Sequence, residues 1–467
     1  MLNRFFEALG NVFRIPDLRK RVLFTLAMLA VYRLGGHIPT PGIDLNKWQE
    51  FFSHSAGTIF GFFDLFAGGN IRRLTIFALG IMPYITASII LQLLTVVIPT
   101  LEKLQKEGEL GRRKITQWTR YLTIILSVIQ SFGIAQGLQA MQGGVVINPG
   151  WGFVLMTIIS LTTGTAFIMW LGEQISDRGV GNGMSLIIFA GIVVGLPNAI
   201  QNMYRNTFVT REWNVLQMIF IVVMMFLVVA FIVLVERGER RIPVQYAKRV
   251  VGRRVMGGQS THMPLKVNAG GVIPVIFASS ILAFPQTLAQ AAFVKNIPWL
   301  SATLTSIRHG EPLYYVLFVA GIIFFCFFYV SIIFNPNEAA DNMRKYGGFI
   351  PGIRPGRNTA DYMNTILTKI TVVGGIYLSI LCLIPDIMIS GIKLQHLPLV
   401  GNFMDAYTPR FLLEGLNVNF YFGGTSLLIV VGVAMDTINQ IEAQLIMRHY
   451  EGFTPRAGRI RGRRSTF

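Results

Sequence analysis

Two long apolar segments constrain the fold of this chain most. Residues 215–235 are apolar except for Gln217, and residues 314–334 are uncharged, with Ser331 as the one strongly polar side chain. A helix of that length, rising about 1.5 Å per residue, crosses a hydrocarbon layer of roughly 30 Å. The chain of 467 residues is 52% hydrophobic and 14% charged, which is too apolar for an ordinary soluble domain. We therefore predict an all-α polytopic membrane protein.

Apolar windows recur along the chain, and each predicts one membrane-spanning helix. The ten windows lie at about 22–38, 75–97, 118–140, 152–173, 183–201, 214–235, 270–292, 313–334, 368–390 and 423–444. The first window follows basic residues, as in a signal peptide, but it lacks a small-x-small cleavage site. We therefore expect it to be retained as a span, preceded by an amphipathic cytoplasmic segment, 1–21, on the membrane surface.

The basic residues predict the orientation. A net charge of +18 would suggest nucleic acid in a soluble protein. Here the lysines and arginines concentrate in connectors on the side of both termini, around 103–114, 236–267 and 335–367, whereas the opposite connectors contain few. Cytoplasmic connectors of membrane proteins carry this excess. Both termini and the two large loops, 236–267 and 335–367, are therefore predicted to be cytoplasmic.

Ten spans divide into two sets of five. Because five is odd, the two halves are predicted to have opposite orientations in the membrane, as in an inverted repeat. We predict a first half over 22–201, an outer connector over 202–212, a second half over 213–444 and a basic tail over 445–467. This arrangement predicts a cavity between the halves, on the axis of the bilayer.

One segment on the outer side, 57–70, is apolar and aromatic but too short to span the membrane, and it ends in Gly68-Gly69. We predict a half-inserted helix, which can enter the membrane only if protein or cavity water covers its backbone ends. An interfacial helix belonging to an aromatic belt is the alternative.

The sequence offers little to support catalysis. It contains no HExxH, GxSxG or Walker motif, and Glu173 and Asp436 lie near span ends. Cys326 and Cys382 lie in apolar runs, where structural thiols are expected. We predict no catalytic site, metal or cofactor, and instead a conduit fed by a soluble partner. A secondary transporter for a small solute is the alternative; it requires a coordinating cluster near mid-membrane.

Seven ordered signatures carry a resemblance to a known family. They are 77–99 (FALGIMPYITASIILQLLTVVIP), 170–183 (WLGEQ and RGVGNG), 235–241 (VERG and RR), 259–268 (QSTHMPLKVN), 334–336 (FNP), 351–356 (PGIRPG) and 421–426 (YFGGTS). The chain resembles the SecY/Sec61-alpha family of protein-conducting channels over nearly its whole length. The outer connector 390–419 is longer than is usual in that family. An accessory paralogue with a restricted substrate set stays open as an alternative.

The resemblance implies three groups of site residues. A pore ring of apolar side chains would contain Ile81, Ile85, Met184, Ile188, Ile276 and Ile429. A plug at 57–70 would contain Phe60, Phe62, Phe63, Leu65, Phe66, Gly68 and Gly69. A lateral gate between spans two and seven, through which helices pass into lipid, would contain Gln92, Asn268, Ser279 and Ser280, although a satisfied hydrogen bond is an equally good interpretation of Gln92 and Asn268.

The resemblance also implies partners. These are the membrane subunits SecE and SecG, the SecA motor, the ribosome with its rRNA, preprotein signal sequences and membrane lipid, with YidC and SecDF as further candidates. The basic residues matching partner-binding positions are Arg241, Arg253, Arg254, Arg354 and Arg357. Arg354 is the strongest candidate because it lies in a Pro-Gly-rich turn. The implied location is the bacterial plasma membrane.

Overall fold

The computed structural model describes residues 15–55, 64, 67–139, 144–210, 215–246, 249–251, 254–256, 260–288, 307, 310–390 and 424–451. Most of the predicted surface segment 1–21, nearly all of the outer connector 390–419 and the end of the basic tail lie outside these residues.

Helices dominate the described part of the chain. The first half contains α1 (Pro16–Gly35), α2 (Leu45–Ser55), α3 (Met82–Val97), α4 (Pro99–Lys106), α5 (Glu109–Gln139), α6 (Trp151–Arg178) and α7 (Gly183–Tyr204). The second half contains α8 (Val215–Glu236), α9 (Ile273–Leu288), α10 (Pro312–Ile333), α11 (Pro336–Lys345), α12 (Arg357–Ser390) and α13 (Gly424–Glu451). A short π-helical turn, Arg205–Val209, extends α7.

Ten of these helices occupy the ten predicted windows. Seven described helices are long and apolar enough to cross a membrane, and α3 with α4 forms an eighth span if this pair, bent by 101°, is counted as one. The remaining two, α1 and α9, lie in the first and seventh windows. The prediction of a helical polytopic membrane protein is confirmed.

The second span differs from its prediction because its helix begins at Met82 rather than near 75. Residues 71–81 before it form a series of turns rather than a helix. One isolated bridge ties them to the chain after α1: Thr75 pairs with Pro39, and the Ile76 amide donates to the Ile38 carbonyl oxygen at 3.0 Å. Pro83 then starts the helix, where its missing N–H costs no hydrogen bond. Hydropathy alone does not distinguish an apolar helix from a short apolar segment folded in turns.

Several other helices extend beyond their windows on the predicted cytoplasmic side. The first begins at Pro16, α5 at Glu109 and α12 at Arg357. Their first turns carry charged side chains, which lower the hydropathy of the window without opposing helix formation. Because of these charged residues, the predicted starts of the three helices lie too late in the sequence.

The two halves meet through equivalent helices. Span two (α3) contacts span seven (α9), and span five (α7) contacts span ten (α13). If a two-fold axis relates the halves, each span is equivalent to the span five places later in the chain. Each of the two contacts therefore joins a pair of equivalent spans. This pattern agrees with the inverted halves predicted from the odd number of spans.

A small sheet in the two large basic connectors was not predicted. Its strands are β1 (Glu239–Tyr246), β4 (Ser260–Lys266) and β5 (Gly348–Phe349), in the order β4-β1-β5, and a separate hairpin joins β2 (Arg249–Val251) to β3 (Arg254–Met256). Ile242 and Val244 are buried on one face of β1, while their neighbours are exposed. The pairing of Gln245 with Phe349 joins the two large loops in one structure.

Candidate pore and gating site

The candidate pore ring lies in the central apolar cluster, to which both halves contribute. Its five isoleucines come from the start of α3 and from α7, α9 and α13, and they are between 0% and 7% exposed: Ile81, Ile85, Ile188, Ile276 and Ile429. The backbone amide of Ile85 donates to the carbonyl oxygen of Ile81 at 3.1 Å, which continues the helix across this pair. Branched apolar side chains from both halves therefore pack together in this cluster.

Met184, the sixth candidate, differs from the isoleucines. It is half-buried and packs at the margin of the central cluster. Its sulfur lies against Gly172 of α6, where an added methyl group would collide with it. The Met184 side chain therefore also fills the contact between spans four and five, and its three flexible torsions suit an irregular gap.

The predicted half-inserted segment is described only in part. Of its residues, Asp64 and 67–70 are described, and Phe60, Phe62, Phe63, Leu65 and Phe66 lie outside the described residues. Asp64 is 5% exposed, and its carboxylate accepts a hydrogen bond from the Arg72 amide at 2.9 Å. The backbone end of this segment, at 67–70, is covered by α1 and α7, as entry into the membrane requires.

The polar residues of the candidate lateral gate find partners close by. Gln92 donates to Ser88 of the same helix at 3.3 Å. The hydroxyls of Ser279 and Ser280 donate to the Ile276 carbonyl oxygen at 2.9 and 2.7 Å. Asn268 instead donates to the Glu236 carboxylate, at the end of α8, at 2.6 Å. The hydrogen bonds described for these four residues do not join α3 to α9, although the two helices are in contact.

The candidate partner-binding arginines lie on the connectors that are predicted to be cytoplasmic. Arg241, on β1, is exposed, with its guanidinium 3.8 Å from the Glu239 carboxylate. Arg254 begins β3, while Arg253 lies outside the described residues. Arg354 and Arg357 are both exposed. The pairing of β1 with β5 brings the backbones of the two basic loops together.

The backbone around Arg354 is fixed on both sides. The Ile353 amide donates to the Ile350 carbonyl oxygen at 3.1 Å, closing a turn. The Thr359 hydroxyl donates to the Arg354 carbonyl oxygen at 3.1 Å and so joins the turn to the first residues of α12. The turn predicted from the Pro-Gly-rich sequence is present, and it presents Arg354 from a defined backbone position.

Sequence reasoning missed several polar residues that structure the site. Tyr32 and Arg33, at the end of α1, hydrogen-bond to the backbone of residues 67 and 68. Arg120 pairs with Glu173 at 2.7 Å and joins α5 to α6. The sequence contained a signal for Arg33. This arginine directly follows span one on the predicted outer side, where the positive-inside bias does not explain a basic residue.

The described fold is that of a polytopic helical membrane protein whose two halves close on an apolar core. A family model for SecY matches residues 75–438. The chain is 49% identical over 446 residues to the protein translocase subunit SecY of Escherichia coli K12, with 95% of each chain covered. It is 47% identical over 457 residues to that of Streptomyces galbus, covering 96% of this chain and 99% of the relative. This chain belongs to the SecY family, which confirms the resemblance in its motifs.

Solved structures share the fold at lower identity. The structure of a protein-conducting channel matches with a TM-score of 0.60 and 18% identity, over 94% of this chain and 95% of that chain. Canine Sec61 in a ribosome–channel complex matches with a TM-score of 0.56, also at 18% identity and with the same coverage.

Proposed function

We propose that this chain is the central subunit of a Sec translocon. It forms a gated channel that passes unfolded preproteins across the membrane and releases membrane-protein helices sideways into lipid. The observation that carries the proposal is the cluster of buried isoleucines, supplied by α3, α7, α9 and α13, at the interface of the two halves. Two comparisons support the proposal: the relatives are named as protein translocase subunits, and the fold is similar to that of a protein-conducting channel.

The apolar ring fits a channel for diverse polypeptides. Branched apolar side chains dewet a narrow pore and so resist ions. They also present no fixed hydrogen-bonding groups, so they do not select among the sequences that pass. In this proposal Ile81, Ile85, Met184, Ile188, Ile276 and Ile429 seal the channel at rest and move apart around a translocating chain.

The proposed lateral gate lies between α3 and α9. Ser279 and Ser280 donate to their own helix, and Gln92 donates to Ser88 within α3. Separating the two helices therefore breaks none of these bonds and creates no unsatisfied polar group in lipid. None of the hydrogen bonds described for these candidate gate residues would oppose opening of the seam, which suits repeated opening.

The proposed energy source lies outside the chain. ATP used by SecA, elongation by the ribosome and the proton-motive force would drive transport, and the chain would have no catalytic step. SecE and SecG would be its membrane subunits, with YidC and SecDF as further contacts. Arg241, Arg253, Arg254, Arg354 and Arg357 would bind SecA or the ribosome, since arginine pairs with both carboxylates and rRNA phosphates.

Cysteine labelling tests the proposed orientation, in which both termini face the cytoplasm of the bacterial plasma membrane. We expect an impermeant thiol reagent to label Asn148→Cys and Arg205→Cys in intact cells, and to label Tyr346→Cys and Arg357→Cys only after lysis. All four positions are exposed, and the two native cysteines are free and buried, so background labelling should be low. Labelling in the opposite order would reverse the orientation.

Reconstitution tests the proposed function. We expect the chain, purified in mild detergent, to retain small single-span subunits. In vesicles with SecE and SecG it should import an unfolded preprotein when SecA and ATP are added, and not when ATP is omitted. Saturable uptake of a small solute by the chain alone, without preprotein import, would favour a secondary transporter instead.

A further inference from the structure

The glycine-rich turn 179–183 joins spans four and five at the end of the bundle that is predicted to be cytoplasmic. It follows α6, and the Gly179 amide donates to the Ile175 carbonyl oxygen of that helix at 2.8 Å. It leads into α7, whose first turn is capped because the Asn182 side chain accepts from the Met184 amide at 3.1 Å. Hydrogen bonds therefore fix both ends of the turn.

The turn is attached to α1, in the first half. The Val180 amide donates to the Thr25 hydroxyl at 3.1 Å, and that hydroxyl donates to the Arg21 carbonyl oxygen of its own helix at 3.0 Å. Both Thr25 and Val180 are buried. A methyl group added to Gly179 would lie 2.4 Å from the Thr25 hydroxyl oxygen, so glycine is required for this approach. The turn and α1 are thus held together.

The same turn meets α13, in the second half. Gly181 has a φ of +86°, and a methyl group added to it would lie 3.2 Å from the hydroxyl oxygen of Thr437 on α13. Val180 packs with Leu18 of α1. Two partly buried side chains of α13 pack against this pair, Ile441 and Leu445. The turn therefore lies where the two halves meet.

Both ends of α7 are joined to the second half. At its predicted outer end α7 continues as the π-helical turn Arg205–Val209, after which the chain passes to α8. At its other end the turn 179–183 packs on α13, which α7 itself also contacts. A rotation that opens the seam between α3 and α9 needs an axis elsewhere between the halves. The line along α7 is attached to the second half at both ends and so provides one.

We propose that the turn 179–183, with its contacts to α1 and α13, is a pivot on which the two halves rotate when the channel opens. The inference rests on the proposed function, because it concerns how that channel opens. Thr25 and Val180 are positioning residues in this role: they align α1, the turn and α13 rather than acting on a translocating chain. The contacts of the turn persist in the closed and the open channel, whereas those between α3 and α9 are broken.

The kind of contact at the turn suits a pivot. In a rotation each point moves in proportion to its distance from the axis, so contacts near the axis change least. The Thr437 hydroxyl donates to the Val433 carbonyl oxygen of its own helix at 2.7 Å, so this bond does not join α13 to the turn. The apolar contacts of Val180 have no preferred direction, and they keep their stabilising effect when the angle between the halves changes slightly.

A disulfide across the pivot tests whether the turn stays on α13 during transport. In a disulfide the Cβ atom of one cysteine lies about 3 Å from the sulfur of the other. A Cβ atom added to Gly181 lies 3.2 Å from the Thr437 hydroxyl oxygen, where a cysteine would place its sulfur. We expect the Gly181→Cys, Thr437→Cys variant to form this bond, since the two native cysteines are buried.

The measurement is SecA- and ATP-driven import into vesicles that contain this variant with SecE and SecG. Oxidised and reduced protein should import a preprotein at rates within about twofold of each other, because a contact at the axis need not break. The two single-cysteine variants control for each substitution and for the oxidant. A loss of import on oxidation that a reductant restores would show that the turn and α13 separate, and would overturn the inference.

Val180→Ala tests whether the pivot is needed. It removes packing against α1 and α13 but keeps the backbone hydrogen bond to Thr25. We expect import per assembled complex to fall about fivefold, because the halves are less firmly aligned. Val154→Ala is the matched control: Val154 is equally buried but packs within the first half, and import should stay close to wild type. A role in folding alone would lower the amount of complex instead of import per complex.

The disulfide also provides a rescue. In the Gly181→Cys, Thr437→Cys background, oxidation should restore import by Val180→Ala, because the covalent bond replaces the lost packing. If wild type imports the preprotein but Val180→Ala matches Val154→Ala, the turn is not a pivot and only the inference fails. If wild type imports nothing with SecA and ATP present, the proposed function fails as well. If the cysteine pair does not accumulate or does not oxidise, the comparison of Val180→Ala with Val154→Ala decides the question.

Discussion

Arg354→Glu is expected to lower SecA-driven preprotein import by at least about tenfold, because it replaces an attractive contact with a repulsive one at a partner interface. The arginine can make paired, charge-assisted hydrogen bonds to an acidic surface, and glutamate cannot. The backbone of Arg354 is fixed by the Ile350–Ile353 turn and by Thr359, so little conformational entropy opposes binding. Insertion should remain normal, because Arg344, Lys345 and Arg357 preserve the positive charge of this loop.

Arg357→Glu makes the same change in charge three positions later and serves as the matched control. Arg357 is exposed at the first turn of α12, where a glutamate is favoured by the helix dipole. We expect a milder loss of import. The measurement is ATP-driven import into vesicles that contain equal amounts of each variant with SecE and SecG. Equal import by wild type and Arg354→Glu would contradict a partner-binding role. Arg354 would then contribute only to the positive charge that specifies orientation.

Replacing Ile276 and Ile429 together by glycine is expected to make the resting channel leak ions. Both side chains lie in the central cluster, at 7% and 0% exposure, one on α9 and one on α13. Removing two isoleucine side chains from a packed apolar constriction opens space that water can enter, and the dewetted seal is lost. Each deletion costs at least about 2–5 kcal/mol of packing stability, so the amount of assembled complex must be measured alongside conductance.

The control for the ring variant replaces two exposed isoleucines by glycine, Ile219 on α8 and Ile281 on α9. They are 53% and 38% exposed. The control therefore loses the same helix propensity as the ring variant, but it does not enlarge the constriction. Conductance across planar bilayers should rise only for the ring variant. If the conductance of the ring variant remains at the control level, even when displacement of the segment at 57–70 is also enforced, Ile276 and Ile429 do not form the seal.

Hydropathy and charge predicted most of the architecture because both act locally. A window of about 20 apolar residues is stable as a helix in lipid whatever surrounds it, so the ten helices could be located before any contact was known. The excess of basic connectors on one side predicts orientation in the same local way. The seven motifs pointed to the family because they recur in order over the whole chain. These conclusions required no knowledge of which segments touch.

Contacts between distant segments were decided only by the tertiary structure. Span two begins at Met82 because residues 75 and 76 pair with the chain that follows α1. The basic loops are joined by a sheet whose strands β1 and β5 are far apart in sequence. Asn268 bonds to Glu236 rather than across the proposed gate, and Arg33 holds Gly68. The sequence by itself determined which segments enter the membrane, since that depends on composition. The tertiary structure decided which polar groups meet, since a hydrogen bond requires two particular atoms to lie about 3 Å apart.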